Sequence, residues 1–293
     1  MTALSGQRKL FSKLTFISRL TAVCVLFWPP AALFAQPDPA ANAGFDTYIR
    51  GLESRLAEQH ANADAFLAPV NLPDADARLH KGEFLIENLT PSPAPELPGA
   101  LLFHWRGSAF VSGATAADFE RLLRDFDSYP KYFAPQVLQA AVLSQDGDHL
   151  VTRLRVRQKH VITVVLDTTY DVTFARLDPL HGYSLSRSTQ IAEIEGAGTP
   201  NEHSLAADKA HGFLWRLNTY WTREECDGGL YLQIESVSLT RSIPNGLGWM
   251  VRPFVESIPR ESLEFTLRSA VNALHKQPAA PDSADQPAAK ASR

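Results

Sequence analysis

Five residues between 193 and 211 (Glu193, Glu195, His203, Asp208 and His211) have the side chains that hold metal ions. Their spacing is irregular, and Gly196, Gly198 and Pro200 interrupt it, whereas metal sites place ligands at recurring intervals. The stretch reads instead as a polar loop at the mouth of a binding site. The sequence contains no Gly-x-Ser-x-Gly, His-Glu-x-x-His, Cys-x-x-Cys or glycine-rich phosphate loop. Acid–base chemistry would need a polar couple such as His160 with Glu235 converging in one pocket. Cys226 stands beside Asp227-Gly-Gly with no partner histidine at a nucleophile spacing, so it reads as incidental. Neither a cofactor nor a metal is expected.

Aromatic residues are more informative. Trp105, Tyr170, Trp215, Tyr220, Trp221 and Tyr231 fall on expected strands, and Trp249 and Phe254 on an expected helix. Such side chains give large contact area at low entropic cost, as plain core or as walls of an apolar pocket. In the last strand Tyr231, Gln233, Glu235, Val237, Leu239 and Arg241 share one face, and Leu230, Leu232, Ile234, Ser236, Ser238 and Thr240 the other. If the first face turns inward, Glu235 and Arg241 are buried polar groups that need partners or a ligand. The candidate ligand-binding residues are therefore Trp105, His160, Tyr170, Trp215, Tyr220, Glu235, Arg241, Trp249 and Phe254. Arg153, Arg155, Arg157 and Lys159 also alternate on one strand face. That row is either a solvated outer surface or an attraction for anionic lipid headgroups.

The 293 residues carry 28 Lys+Arg against 32 Asp+Glu, a formal charge of −4. With no basic excess, nucleic acid is not an expected partner. Residues 1–20 hold Arg8, Lys9, Lys13 and Arg19 and no acid; an apolar run to Trp28, two prolines and Ala31-Ala-Leu-Phe-Ala35 follow. This is the pattern of a secretory signal cut near Ala35. Losing those four cations leaves 24 Lys+Arg against 32 acids, a net of −8. Export to a periplasmic or extracellular space is the expectation.

The elements that must position these residues follow from periodicity. Phe45, Tyr48, Ile49, Leu52 and Leu56 recur at helical spacing and predict an amphipathic helix over about 44–60 that docks on the main body. A proline-rich connection reaches residue 99, with one short strand candidate at 83–87. The body spans 100–276. It opens with a strand at 101–111 and a helix whose capping box is Thr115-Ala-Ala-Asp118. Strands follow over 137–144, 149–157, 161–176, 183–195, 213–223 and 230–241, with hairpin signals at Asp146-Gly147 and Asp227-Gly228-Gly229. A long helix after Pro244-Asn-Gly246 buries Leu263, Leu267, Ala270, Val271 and Leu274, and Pro253 and Pro259 are expected to kink or split it. Residues 277–293 read as a disordered tail.

Strand, helix, six strands and a long helix make an α+β chain, with a curved, mostly antiparallel sheet wrapped on the C-terminal helix. That order resembles the helix-grip fold of the START-like superfamily, which includes polyketide cyclases, the birch-pollen-allergen type and coenzyme Q-binding proteins. Phe119-Glu-Arg-Leu-Leu-Arg-Asp-Phe-Asp-Ser-Tyr-Pro-Lys-Tyr-Phe-Ala-Pro135 is similar to the first helix and following D-x-Y-P step of bacterial members. Ser242-Ile-Pro-Asn-Gly-Leu-Gly-Trp249 resembles the lead into their last helix. The resemblance leaves out residues 36–99. It implies a sheet of about seven strands and an apolar small molecule or lipid in a tunnel between sheet and helix. Because Pro253 and Pro259 each remove a backbone donor from the first half of the long helix, 246–257 and the 196–211 loop are expected to act as a gate while 262–274 stays fixed. Three functions compete: a carrier of a lipid, quinone or polyketide, with possible contact to a membrane surface; a cyclase or hydrolase using the same pocket; and a ligand-free envelope scaffold. Fold alone does not choose among them.

Overall fold

The structure, a computed structural model, describes residues 36–159, 162–243 and 248–276, the side chains of 248–255 excepted. It opens with helix α1 (Pro39–His60) and the short α2 (Ala75–His80). Strands β1 (Leu85–Asn88) and β2 (Ala100–Ser112) come next, followed by α3 (Ala116–Arg124) and α4 (Tyr129–Tyr132). Strands β3 (Val137–Asp146), β4 (His149–Lys159), β5 (Thr163–Arg176), β6 (His181–Glu195), β7 (His203–Ser204), β8 (Arg216–Cys226) and β9 (Gly229–Arg241) precede the long α5 (Gly248–Lys276).

One antiparallel sheet runs in the order β1-β2-β9-β8-β6-β5-β4-β3, with β7 on β6. Hairpins supply most neighbours, and β2 against β9 joins the two ends of the body through thirteen paired positions. With α5 laid across β2, β9 and β1, this is the helix-grip arrangement. Among the described residues the sheet has nine strands rather than about seven. The additions are the two-residue β7 and β1, which the proline-rich connection lays beside β2.

Local chemistry accounts for the joints. Thr115 and Asp118 form a reciprocal capping box on α3, each side chain bonding the other's backbone N–H. Asp227 and Gly228, both with positive φ, make the two-residue turn between Cys226 and Gly229, a conformation that twists with the strands it joins.

The sheet has a separate apolar layer on each face. On the inner face Leu230, Leu232 and Ile234 of β9 meet Phe119, Leu122 and Leu123 of α3 and Leu263, Leu267, Ala270, Val271 and Leu274 of α5. The predicted anchored half of the long helix is thus buried as expected. Gly107 lets α5 come close: a Cβ there would lie 2.7 Å from Leu263 Cδ2 and 3.0 Å from Leu267 Cδ2. On the outer face α1 buries Phe45, Ile49, Leu52 and Leu56 against Leu102, Tyr220, Val237 and Leu239. Each such side chain contributes about 1.5–3 kcal/mol of burial.

Two expectations change. α1 starts at Pro39 rather than at about 44, and the Asp38 side chain accepts there from the Ala40 N–H. α5 is not split: it runs from Gly248 to Lys276, and the helix continues past Pro253 and Pro259 although each deletes one backbone donor.

Candidate functional site

The inner face changes character along β9. Leu230, Leu232 and Ile234 give way to Ser236, Ser238 and Thr240, which alternation keeps on the same face. Neighbouring strands match this step. Ser186 of β6 pairs with Thr219 of β8, Thr219 with Ser236, and Ser236 with Trp105 of β2. One row over, Ser188 stands beside Tyr170, and Ser238 lies between Leu217 and Phe103. A band of hydroxyls therefore crosses β6, β8 and β9, flanked by Trp105 and Tyr170. It begins one inner position beyond Gly107, where Leu263 and Leu267 of α5 press closest.

Polar satisfaction in this band is incomplete. Trp105 Nε1, Thr152 Oγ1 and Thr240 Oγ1 are buried and have no hydrogen-bond partner among the described residues. Thr152 pairs with Tyr170 across β4 and β5, so it belongs to the same face. Buried polar atoms without partners are rare in folded chains, and each calls for a water, an ion or a ligand to meet it. Burial pushes the Tyr170 hydroxyl up to about 12, so it stays protonated.

The outer face holds a different set. Glu235, 4% exposed, accepts from Arg55 Nη2 of α1 at 2.5 Å and lies 2.9 Å from Nε2 of the buried His104. His104 Nδ1 in turn meets the Tyr48 hydroxyl of α1 at 2.8 Å. Burial alone would raise the Glu235 carboxyl, but the bond from His104 and the charge of Arg55 hold it below its ordinary value. Tyr220 donates to Glu53 of α1 at 2.9 Å, Arg187 reaches the same carboxylate at 2.6 Å, and Arg216 joins Asp46 at 3.0 Å. His60 ends α1, with Nε2 2.9 Å from Thr222 Oγ1 and its ring stacked 4.1 Å from Tyr183. These groups fasten a helix to a sheet.

Of the residues expected to line one pocket, the structure places Trp105 and Tyr170 on the inner face. Trp215, Tyr220, Glu235 and Arg241 are corrections: all four lie on the outer face. Tyr220 and Trp215 pack in the α1 layer. Arg241 follows Val237 and Leu239 on their face of β9. The physical reason is that both faces of β8 and β9 are covered, so an apolar alternation fits either side, and α1 takes the one that bears the charges. The proposed His160–Glu235 couple therefore loses Glu235, whose histidine partner is His104. His160 and the side chains of Trp249 and Phe254 lie outside the described residues, as does the gate's 246–255 portion at side-chain level.

The loop cluster resolves into separate pairs. Glu195 faces His203 at 3.3 Å, while the buried Glu193 carboxylate takes the N–H groups of His211, Gly212 and Phe213. It ties down the loop leading to β8. In the basic row of β4, Arg155 is held by Asp167 and Glu202, and these bonds raise its already high pKa. Burial first, then Glu224 and Asp227, push the Cys226 thiol up to about 11, the opposite of nucleophile activation. Among the described residues no helix is long and apolar enough to cross a membrane.

Sequence reasoning missed His104, Arg55 and Tyr48 as partners of Glu235. The available signal was the alternation of β2, which puts His104 and Arg106 on one face and Trp105 and Gly107 on the other.

No family model and no curated protein matches the chain. Solved structures that resemble it include a STAR-related lipid transfer protein fragment from Xanthomonas axonopodis. That match has 19% identity, covers 62% of this chain and 97% of that one, and has a TM-score of 0.40. The Zhui aromatase/cyclase from Streptomyces sp. R1128 is 14% identical over 60% of this chain and 94% of that one, with a TM-score of 0.41. Human STARD10 is 7% identical over 72% and 84%, with a TM-score of 0.40. The helix-grip assignment rests on the strand order and the α5 packing themselves.

Proposed function

We propose that this chain is an exported helix-grip protein that holds an apolar or amphipathic molecule, such as a lipid, quinone or polyketide, between the inner sheet face and α5. The observation that carries the reading is the inner face's step from leucine and isoleucine to a hydroxyl band that leaves Trp105 Nε1 and Thr240 Oγ1 buried without partners. A core filled only by its own side chains gains nothing from such groups, each of which costs about 1–3 kcal/mol when left unmade. A ligand with one polar end supplies such partners while its apolar part lies on Trp105 and Tyr170. The cyclase or hydrolase alternative has less support, because Glu235 lies on the other face of the sheet.

The test is displacement of an environment-sensitive apolar dye from delipidated protein by a long-chain fatty acid. Thr240→Val and Trp105→Phe should weaken the fatty acid by about 5- to 10-fold, the value of one hydrogen bond, and leave the dye within about twofold. Equal affinities would remove the polar anchor from the account. Absence of any dye binding would favour the scaffold reading. Export belongs to the same proposal. α1 begins at Pro39, so cleavage after Ala35 leaves the folded body intact. An exported protein whose intact mass starts at Gln36 supports this, and a full-length mass contradicts it.

A further inference from the structure

At the far end of the sheet from the hydroxyl band, an open cleft of about 630 Å³ lies between α3, the end of β5 and β8. Arg121, Arg124, Arg176 and Arg223 line it, together with Glu120 and Asp125. Three of these guanidiniums converge on one carboxylate. Glu120 accepts from Arg124 Nε at 3.0 Å, pairs with Arg223 Nη2 and lies 3.7 Å from Arg176 Nη2. Arg124 also reaches Asp148 at 2.5 Å, and Arg121 pairs with Asp118. Asp125 is engaged by the Tyr132 hydroxyl at 2.9 Å.

Arg223 is the telling member. Its side chain is 4% exposed, yet its Nε has no partner among the described residues. The guanidinium lies across Gly182, filling the space that a Cβ there would take. Burial, together with the like charges of Arg176 and Arg124, lowers its pKa against the pull of Glu120. Three guanidiniums share Glu120, with Asp148 taking part of Arg124, and the guanidinium donors left over suit the oxygens of a phosphate, which they bind in fork geometry.

We infer that this cleft binds a phosphate group of an anionic ligand, held chiefly by Arg176 and Arg223 with Arg124 beside them. Pro179 of the β5–β6 turn lines it, and Leu177 and Leu180 on the same turn are exposed. A phospholipid headgroup and a free organic phosphate share the chemistry required. The site is independent of the ligand proposed for the inner face, so failure of dye binding leaves it standing.

The experiment uses the mature chain in two arms: calorimetric titration with inorganic phosphate, and sedimentation with phosphatidylcholine vesicles with or without phosphatidylglycerol. Arg176→Glu is the probe, since that side chain is 60% exposed and its loss spares the core. Arg153→Glu, at an exposed position of β4, matches its change in charge. Saturable phosphate binding weakened about tenfold or more by Arg176→Glu, and unaffected by Arg153→Glu, supports the site and a soluble ligand. The same discrimination only on phosphatidylglycerol vesicles supports it with a headgroup as the source. Absence of binding in both arms, or equal loss with both variants, overturns it.

Discussion

His60 is an imidazole held where protonation is unwelcome. Burial, reinforced by the Arg55 charge, lowers its pKa from 6.5 to about 4, against a smaller opposing pull from Glu235. Between those values the unfolded chain binds a proton that the folded chain refuses. Stability from this residue is therefore complete above pH 6.5 and is lost as the pH falls toward 4, by about 3 kcal/mol at most. His60→Gln should flatten that part of a stability–pH profile measured by urea unfolding. Glu235, held below its ordinary value, adds a loss of the same sign at lower pH. Removing its acceptor oxygens leaves buried His104 without that partner, so Glu235→Leu should cost about 2–4 kcal/mol. Because the side chain faces α1, the same variant should keep its affinity for a fatty acid; a large loss there would move the site to the outer face. Glu235 also shows what alternation leaves undecided. The sequence separates the two faces of β9 and says nothing of which one meets α5, because Val237 and Leu239 look as core-like as Leu232 and Ile234.

The helices were easier to read than their partners. The α1 stripe and the second half of α5 are legible because 3.6-residue periodicity needs only local sequence, and Leu52, Leu56, Leu263 and Leu267 are all buried as their spacing requires. What covers each stripe depends on contacts far along the chain. Arg55 to Glu235 spans 180 positions, a distance at which no spacing rule operates. The Asp46, Glu53 and Arg55 side chains, which belong to the nominal solvent face of α1, bend to the sheet and fasten its edges. Helix α1 is thus part of the folded body. Leu52→Ala, beneath α1, and Leu267→Ala, beneath α5, should each cost about 2–5 kcal/mol in chemical denaturation. If Leu52→Ala were neutral, α1 would be a loose appendage.

The whole molecule is one sheet gripped from both sides, and the sides differ in kind. Outside, charged and hydrogen-bonded pairs lock α1 down with their partners supplied by the chain itself. Inside, the second half of α5 closes on an apolar floor at one end of the sheet, and the hydroxyl band lies toward the other. The fold class was legible from strand count, hairpin turns and the final helix. The inner site was half legible, through Trp105, Tyr170 and the serine–threonine run of β9; its unpartnered atoms emerge only once six strands stand side by side. The central claim is that a ligand lies on this inner face. The most direct measurement is photo-crosslinking of the mature chain with a diazirine-bearing fatty acid, followed by peptide mapping. The account predicts saturable adducts on peptides containing Trp105, Ser236–Thr240 and α5, displaced by unlabelled fatty acid. Adducts confined to α1 and the Tyr220 face, or no saturable labelling, would contradict it.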